Sequence, residues 1–453
     1  MIVGMIDNQT NLDSSGPVRS STATELRIKS LLWAYFWLLI FEGAIRKWIP
    51  PLSVPFLVIR DPIALAIWFY ASKTKSSIPK IWGYFYLYAF FMTLLGLVQI
   101  IVADIPAPVF LYGWRTYVLH IPVIIAAVSI FDAEDLRKLG IRLLKLSIPM
   151  TFLMFAQYVA PGDSWLNRGA SEGSAQIGAA LGHIRPAGTF SFITGSASFV
   201  QFAAAFVMLG LLRRGVFPRW LVVSAGIAVV AAMPVSGSRT LVLGVVTVFV
   251  AAIIGGMVSG AASFDVRKVP KIVGGVIVTS LVVVGIAQIP LVKDGIVTFT
   301  TRWNQAAESE GEGSGASAVG NRVTLPFTQV FDIAATAPVL GRGIGLGSNF
   351  SATYSGSDSL ALGEGSWDRE MSELGPIVGF CFLALRVSIS LILVVMTLHA
   401  LRRHVLLPLL LLTATVLAIL VGNLDQPTTQ GFLTLLTVAT FVGMKGDPKI
   451  RYL

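Results

Sequence analysis

Apolar runs long enough to cross a lipid bilayer recur from Leu31 almost to the C-terminus, and this recurrence constrains the fold more than any other property of the chain. A run of about 20 apolar residues matches a helix crossing roughly 30 Å of hydrocarbon, with its backbone polar groups paired internally. Twelve windows read as spans, near 31–48, 52–71, 81–103, 109–131, 142–160, 191–212, 219–235, 239–262, 271–290, 375–398, 405–424 and 429–444. The expected fold class is therefore all-α, a polytopic transmembrane helix bundle of about 12 spans. Composition agrees: 13% of residues are charged and 55% hydrophobic, against roughly 25% charged in a soluble domain. The runs leave no room for a soluble catalytic domain of standard size.

The formal net charge of +10 reads as topology, because the basic residues fall in short clusters between the runs. That pattern argues against nucleic acid as a partner. Lys73, Lys75 and Lys80; Arg137, Lys138 and Arg142; Arg213, Arg214 and Arg219; Arg267, Lys268 and Lys271; and Arg402 with Arg403 occupy alternate connections. Lys/Arg-rich loops stay in the cytoplasm, which puts both termini inside, with His399 and His404 solvated at the same edge. The first 29 residues, rich in Ser, Thr and Asn, lack the apolar core of a cleaved signal peptide and read as a flexible cytoplasmic tail. Residues 30–290 then hold spans one to nine, 291–374 form one large outer loop, and 375–453 hold the last three spans and a cytoplasmic C-terminus. Cys381, the single cysteine, lies in an apolar run and reads as a small buried residue. Neither a disulfide nor a thiolate metal site is available.

Two outer connections are long, roughly 160–190 and 291–374, well beyond ordinary loop lengths. The larger carries ten acidic and five basic residues, a polar stretch from Glu308 to Gly320, and an amphipathic helix over Val323 to Ala335. Common phosphate-loop, zinc-peptidase and Cys-x-x-Cys motifs are absent. Gly341-Arg342-Gly343-Ile344-Gly345-Leu346-Gly347 lacks the βαβ context of a dinucleotide site. It is either a turn that approaches a ligand closely or a loop that re-enters the bundle.

Three arginines sit at outer ends of spans, against the positive-inside trend: Arg185, Arg239 and Arg322. A guanidinium is permanently charged and its planar fork matches phosphate, so three on one pocket suit a diphosphate; taken singly, each also fits snorkelling to lipid headgroups. Within the apolar runs, Glu42 and Arg46 are four apart on one helical face, Arg60 and Asp61 fall near the middle of a run, and Arg115 and His120 sit early in the fourth span. Charges at that depth cost at least about 2.5 kcal/mol each and so face protein or a cavity.

Arg185-Pro186-x-Gly188-Thr189-Phe190, then Ser236-Gly237-Ser238-Arg239-Thr240, then Asn321-Arg322, Ala337-Pro338-Val339-Leu340-Gly341-x-Gly343-x-Gly345 and Glu373-Leu374-Gly375-x-x-x-Gly379 follow one another in the order and membrane placement of a known pattern. This set, from about residue 105 onward, resembles the bacterial O-antigen polymerase and O-antigen ligase family. Phe41-Glu42-Gly43-Ala44-Ile45-Arg46-Lys47-Trp48 and Arg60-Asp61-Pro62 also look like a subgroup of exopolysaccharide polymerases.

The resemblance implies a glycosyltransferase of the GT-C type in the bacterial inner membrane. Such an enzyme works on undecaprenyl-diphosphate-linked glycans at the periplasmic face, with no metal and no other cofactor, among membrane lipids and with a chain-length regulator as a further partner. On that reading Arg185, Arg239 and Arg322 neutralise the diphosphate, with Arg115, His183 and Arg342 as secondary candidates. The ligase branch places a histidine ahead of its Glu-Leu-Gly element; here the stretch Glu364-Gly365-Ser366-Trp367-Asp368-Arg369-Glu370 has none. A polymerase is therefore expected over a ligase, with Glu364, Asp368 and Glu370 as candidate bases. Trp367 suits stacking on a sugar or anchoring at the interface. A flippase of lipid-linked oligosaccharides is the alternative from another class.

Overall fold

The computed structural model describes residues 22–74, 79–170, 176–259, 290–309, 327–355 and 365–445. Within them the chain is helical, with no strand among the described residues and only isolated bridges, one of them between Gly178 and Ile184. The helices that frame the bundle are α1 (Ala23–Trp48), α2 (Arg60–Ser72), α3 (Pro79–Val102), α4 (Ala107–Trp114), α5 (Ile121–Ile130), α6 (Ala133–Val159), α7 (Ile193–Leu212), α8 (Arg219–Val235), α9 (Arg239–Ser259), α10 (Pro290–Ser309), α11 (Ser366–Arg402), α12 (Leu407–Val421) and α13 (Pro427–Lys445), with shorter helices at Ser53–Leu57, 327–336 and Asn349–Ser355.

Among the described residues, eight helical segments are long and apolar enough to cross a membrane: Ala23–Trp48, Pro50–Ser72, Lys80–Val102, Ala107–Ile130, Ala133–Val159, Ile193–Leu212, Arg239–Met257 and Ser366–Arg402. This is fewer than the twelve expected. α8 and α12 are apolar but have 17 and 15 residues, about 26 and 23 Å at 1.5 Å per residue. α13 dilutes its apolar residues with Thr428, Gln430, Thr434, Thr437 and Thr440, and the window 271–290 lies, but for its last residue, outside the described residues. Residues 23–29, expected to belong to a flexible tail, are helical instead, and the rest of that tail but for Thr22 lies outside the described residues. A capping box between Thr22 and Glu25 starts α1 at Ala23, because the two side chains satisfy amides that the first turn leaves unpaired. Arg137, Lys138 and Arg142 lie inside α6, not in a connection, since Asp132 and Asp135 build a second capping box just ahead of them.

α7 occupies the centre of the bundle, packed against α6, α8, α9, α12 and α13. Phe199, Phe202, Ala203, Ala205 and Phe206 of this helix are fully or almost fully buried, as expected of a helix apolar on every side. Small residues let neighbours approach: a Cβ on Gly210 would meet Val222 of α8 at 2.6 Å, and one on Gly140 would meet Phe206 at 2.6 Å. Cys381 is exposed on α11 rather than buried, because its side of the helix carries apolar residues outward. His399 and His404 are exposed as expected.

The two ends of the bundle differ. At one end Lys29 bridges Asp132 at 3.0 Å and also Asp135, Arg137 donates to the Val216 carbonyl at 3.0 Å and Arg213 to that of His404 at 3.2 Å. Partial burial acts to raise the Asp132 carboxyl, but the Asp135 amide and the Lys29 ammonium hold it below the usual range. At the other end the C-terminus of α1 meets the 185–191 loop and the start of α7 meets the residue ahead of α13: Arg46 donates to Ser191 Oγ at 3.2 Å and Thr194 to Gln426 at 3.1 Å. Every loop discussed below gathers at this second end.

Candidate functional site

Two groups of side chains occupy that end. The first is built on the loop 176–191 and the turn before α9. Ala179 donates to the His183 carbonyl at 2.7 Å and Arg185 to that of Ile177 at 2.8 Å, making a short hairpin. Gly188, at φ +60, takes a conformation in which glycine carries no Cβ penalty. Gln157 grips both its polar groups, accepting from its amide at 2.8 Å and donating to its carbonyl at 3.1 Å. The buried Lys47 ammonium donates to the same carbonyl at 2.5 Å. The aliphatic stem of Arg185 lies against the following turn, since a Cβ on Gly237 would stand 3.5 Å from its Cγ. The head of Arg185 donates to the Gly178 carbonyl at 3.1 Å. Arg239, two residues past Gly237, holds its guanidinium 5.7 Å from the Trp303 ring of α10.

His183 belongs to this group. Its ring stacks on Tyr158 at 4.1 Å, Nε2 stands 2.9 Å from Asp294 of α10, and Nδ1 stands 3.1 Å from the Tyr158 carbonyl. The Tyr158 hydroxyl donates to Asp294 at 2.9 Å. The structure thus brings Arg185, Arg239 and His183 onto adjoining loops beneath α10. Arg322 and Glu364 lie outside the described residues.

The second group surrounds a narrow, partly solvent-open cavity lined by Gly113, Thr116, Tyr117, Gly345, Ser366, Arg369, Glu370, Glu373, Asn423, Leu424 and Asp425. Its position follows from a break in α11: Gly375 has φ 76 and ψ 168, a region open to glycine alone, and Pro376 cannot continue the preceding turn. The nine residues from Ser366 to Leu374 therefore form a separate helical head that lies over the bundle. A Cβ on Gly375 would stand 2.4 Å from the Val339 carbonyl, and one on Gly341 would stand 2.2 Å from that of Glu373. The glycine-rich segment is thus a loop that re-enters the bundle. Gln99 of α3 locks the two together, donating to the carbonyls of Glu373 at 2.8 Å and Leu340 at 2.5 Å and accepting from the Ile344 amide at 2.8 Å.

The carboxylates of the helical head have different surroundings. Glu370 is ion-paired with Arg386 and accepts from Ser366 at 2.8 Å. Asp368 is buried with Oδ1 lacking a hydrogen-bond partner. Glu373 accepts from the Tyr117 hydroxyl at 2.8 Å and from the Gly347 amide at 2.8 Å. Arg369 reaches across to Asn423 at 3.1 Å and Asp425 at 3.3 Å. Trp367 is buried and its indole donates to the Leu420 carbonyl, so it packs rather than presenting a face to a sugar. Arg342 is exposed, and its amide donates to the Ser372 carbonyl at 2.8 Å.

Arg115 sits apart from both groups, in the apolar interior. It pairs with Asp61 at 2.5 Å, and Arg60 pairs with Glu42 at 2.7 Å. Tyr35 joins the two pairs through hydrogen bonds with His120 at 2.8 Å and Arg60 at 3.3 Å. Glu42 and Arg46 also approach to 3.8 Å. A five-residue π-helical turn, Arg115–Leu119, precedes Pro122. That turn carries Arg115 and Thr116 to opposite neighbours, Asp61 and the cavity.

Gln99, Tyr117, Arg369, Asn423, Asp425 and the Glu373 side chain were not expected as site residues. Signals for some existed: Gln99 is a lone amide in an apolar run, and Glu373 belongs to the Glu-Leu-Gly element. Comparison with protein-family models and with curated proteins finds no match for this chain.

Proposed function

We propose that the chain is a membrane glycosyltransferase that polymerises lipid-linked polysaccharide repeat units. It transfers a growing glycan from undecaprenyl diphosphate to a sugar hydroxyl of the next unit at the periplasmic face of the bacterial inner membrane. One observation carries this reading: two adjoining loops bearing Arg185 and Arg239, and a cavity walled by Glu370, Glu373, Arg369, Asn423 and Asp425, share one end of an apolar helical bundle. A guanidinium fork suits a diphosphate leaving group. Interleaved acids, amides and hydroxyls suit the donors and acceptors of a sugar. Arg322, on the same loop system in sequence, serves as a third cation.

In this reading the shorter helices α8, α12 and α13, together with residues 271–290, complete twelve crossings, the basic connections face the cytoplasm with both termini, and residues 291–374 form the outer loop. The buried charges Arg60 and Arg115 are each matched by a carboxylate, which favours fixed structural pairs over the moving charges of a flippase. The test is incubation of the purified protein with synthetic undecaprenyl-diphosphate repeat units in EDTA, with products resolved by gel. A ladder of lengthening glycans is expected; transfer to a lipid A core alone would replace this reading with a ligase, and transport without new glycosidic bonds would replace it with a flippase.

A further inference from the structure

We propose that Glu373 is the proton acceptor of the transfer reaction, an inference that rests on the polymerase reading of the same cavity. Four carboxylates belong to the helical head or the cavity wall; two are ion-paired and a third lies off the cavity. Glu370 faces the Arg386 guanidinium and the Ser366 hydroxyl. Asp425 faces Arg369 at 3.3 Å. Asp368 does not line the cavity; its carboxylate lies against Gly365 at the start of α11, where a Cβ would meet Oδ2 at 2.7 Å. Glu373 lines the cavity, is 3% exposed, and among the described residues makes no ion pair. Its carboxylate is held by neutral donors, the Tyr117 hydroxyl and the Gly347 amide. A guanidinium partner strongly favours the charged carboxylate and so weakens it as a base, whereas neutral donors do so less.

The backbone around Glu373 is shaped for this carboxylate. A Cβ on Gly347 would fall 2.9 Å from its Oε1 and 2.5 Å from Arg369 Cγ. A Cβ on Gly345 would fall 2.3 Å from the Val109 carbonyl, and one on Gly113 would fall 2.4 Å from the Gly345 amide nitrogen. Three glycines thus let a loop close over the acid from one side while Gln99 fixes the Glu373 carbonyl from another. Burying a carboxylate costs free energy unless something recovers it, and a proton to be taken from a bound hydroxyl supplies the reason for keeping one here.

The step balances. The acceptor hydroxyl gives its proton to Glu373, its oxygen forms a bond to the anomeric carbon of the donor, and the bond from that carbon to the diphosphate oxygen breaks. The electron pair leaves on the diphosphate, which the loop arginines stabilise. Tyr117 acts as a positioning residue that orients the carboxylate. The other charged or titratable groups at the cavity are Arg369 and Glu370 on the same helix and Asp425 ahead of α13.

The experiment uses the full chain in detergent with the synthetic lipid-linked units, comparing wild type with Glu373→Gln, Glu373→Asp and Tyr117→Phe. Glu373→Gln is expected to lower kcat about 10²–10⁴-fold with KM for the lipid substrate within a few-fold, and Glu373→Asp to recover part of the rate. Tyr117→Phe removes a hydrogen bond to the charged form and is expected to move the acidic limb of the kcat profile to higher pH. A wild-type ladder together with Glu373→Gln at full rate overturns the assignment and leaves the polymerase reading standing. If Glu373→Gln does not purify as folded protein, the Tyr117→Phe profile decides, and an unmoved limb overturns the assignment. A wild type that makes no ladder overturns the polymerase reading and this inference with it.

Discussion

The cavity and the arginine loops lie at the same end of the bundle but are held together in opposite ways. The cavity binds its charges to one another: Arg386 with Glu370, and Arg369 with Asp425. The loops instead hold Arg185 against a backbone carbonyl and Arg239 near the face of Trp303, with the loop backbone itself clamped by Gln157 and Lys47 at Gly188. In the first region charge is part of the fold. In the second the backbone is part of the fold, and the charges rest on it and on an aromatic ring, Arg185 half-buried and Arg239 buried.

Breaking the pair Arg386–Glu370 should therefore have the largest effect on stability. Arg386→Met leaves a buried carboxylate without its cation and is expected to destabilise the protein by about 3–5 kcal/mol, seen as a lower unfolding temperature in detergent. Adding Glu370→Gln should restore most of it, and failure of that rescue would mean the pair is not what holds the helical head. Arg239→Ala sharpens the other side of the contrast. Turnover of lipid-linked units should fall about 10²–10³-fold while the unfolding temperature moves less than for Arg386→Met. A variant equally unstable and no less active would erase the distinction between the regions.

The smallest effect is expected far from both, at Asp132. Its carboxyl sits below the usual range because the Asp135 amide and the Lys29 ammonium outweigh partial burial. A depressed carboxyl contributes stability above its unfolded value and loses it as pH falls through the folded one. Asp132→Ala should cost about 1 kcal/mol as a lost helix cap, with the difference from wild type shrinking in acid and turnover at neutral pH unchanged.

Much of the helical framework is legible in the chain because hydrocarbon imposes a simple demand on each apolar run. The windows at 31–48, 81–103, 191–212 and 239–262 all lie largely within helices. The count of long spans is less legible, since α8 and α12 end early at the polar turns that follow them. At the site, the glycine run at 341–347 is legible as a turn or a re-entrant loop, while the hairpin around Arg185 is not. Nor is the environment of each acid. Nothing in Trp367-Asp368-Arg369-Glu370 says that Glu370 will meet an arginine 16 residues on, or that Arg369 will cross to Asp425. Those partners depend on the break at Gly375, which turns the head of the helix by an amount that only the packing of the 337–347 loop determines.

Gln99 touches Glu373 across 274 positions of sequence, and Gln430 donates to the Thr116 carbonyl across 314. During synthesis, then, the third apolar segment enters the membrane with an amide whose partners the ribosome has not yet made. Its cavity wall stays open until Asn423 and Asp425 emerge. A nascent chain halted before that point carries Gln99, Thr116, Arg369 and Glu373 but lacks the last polar wall that faces them.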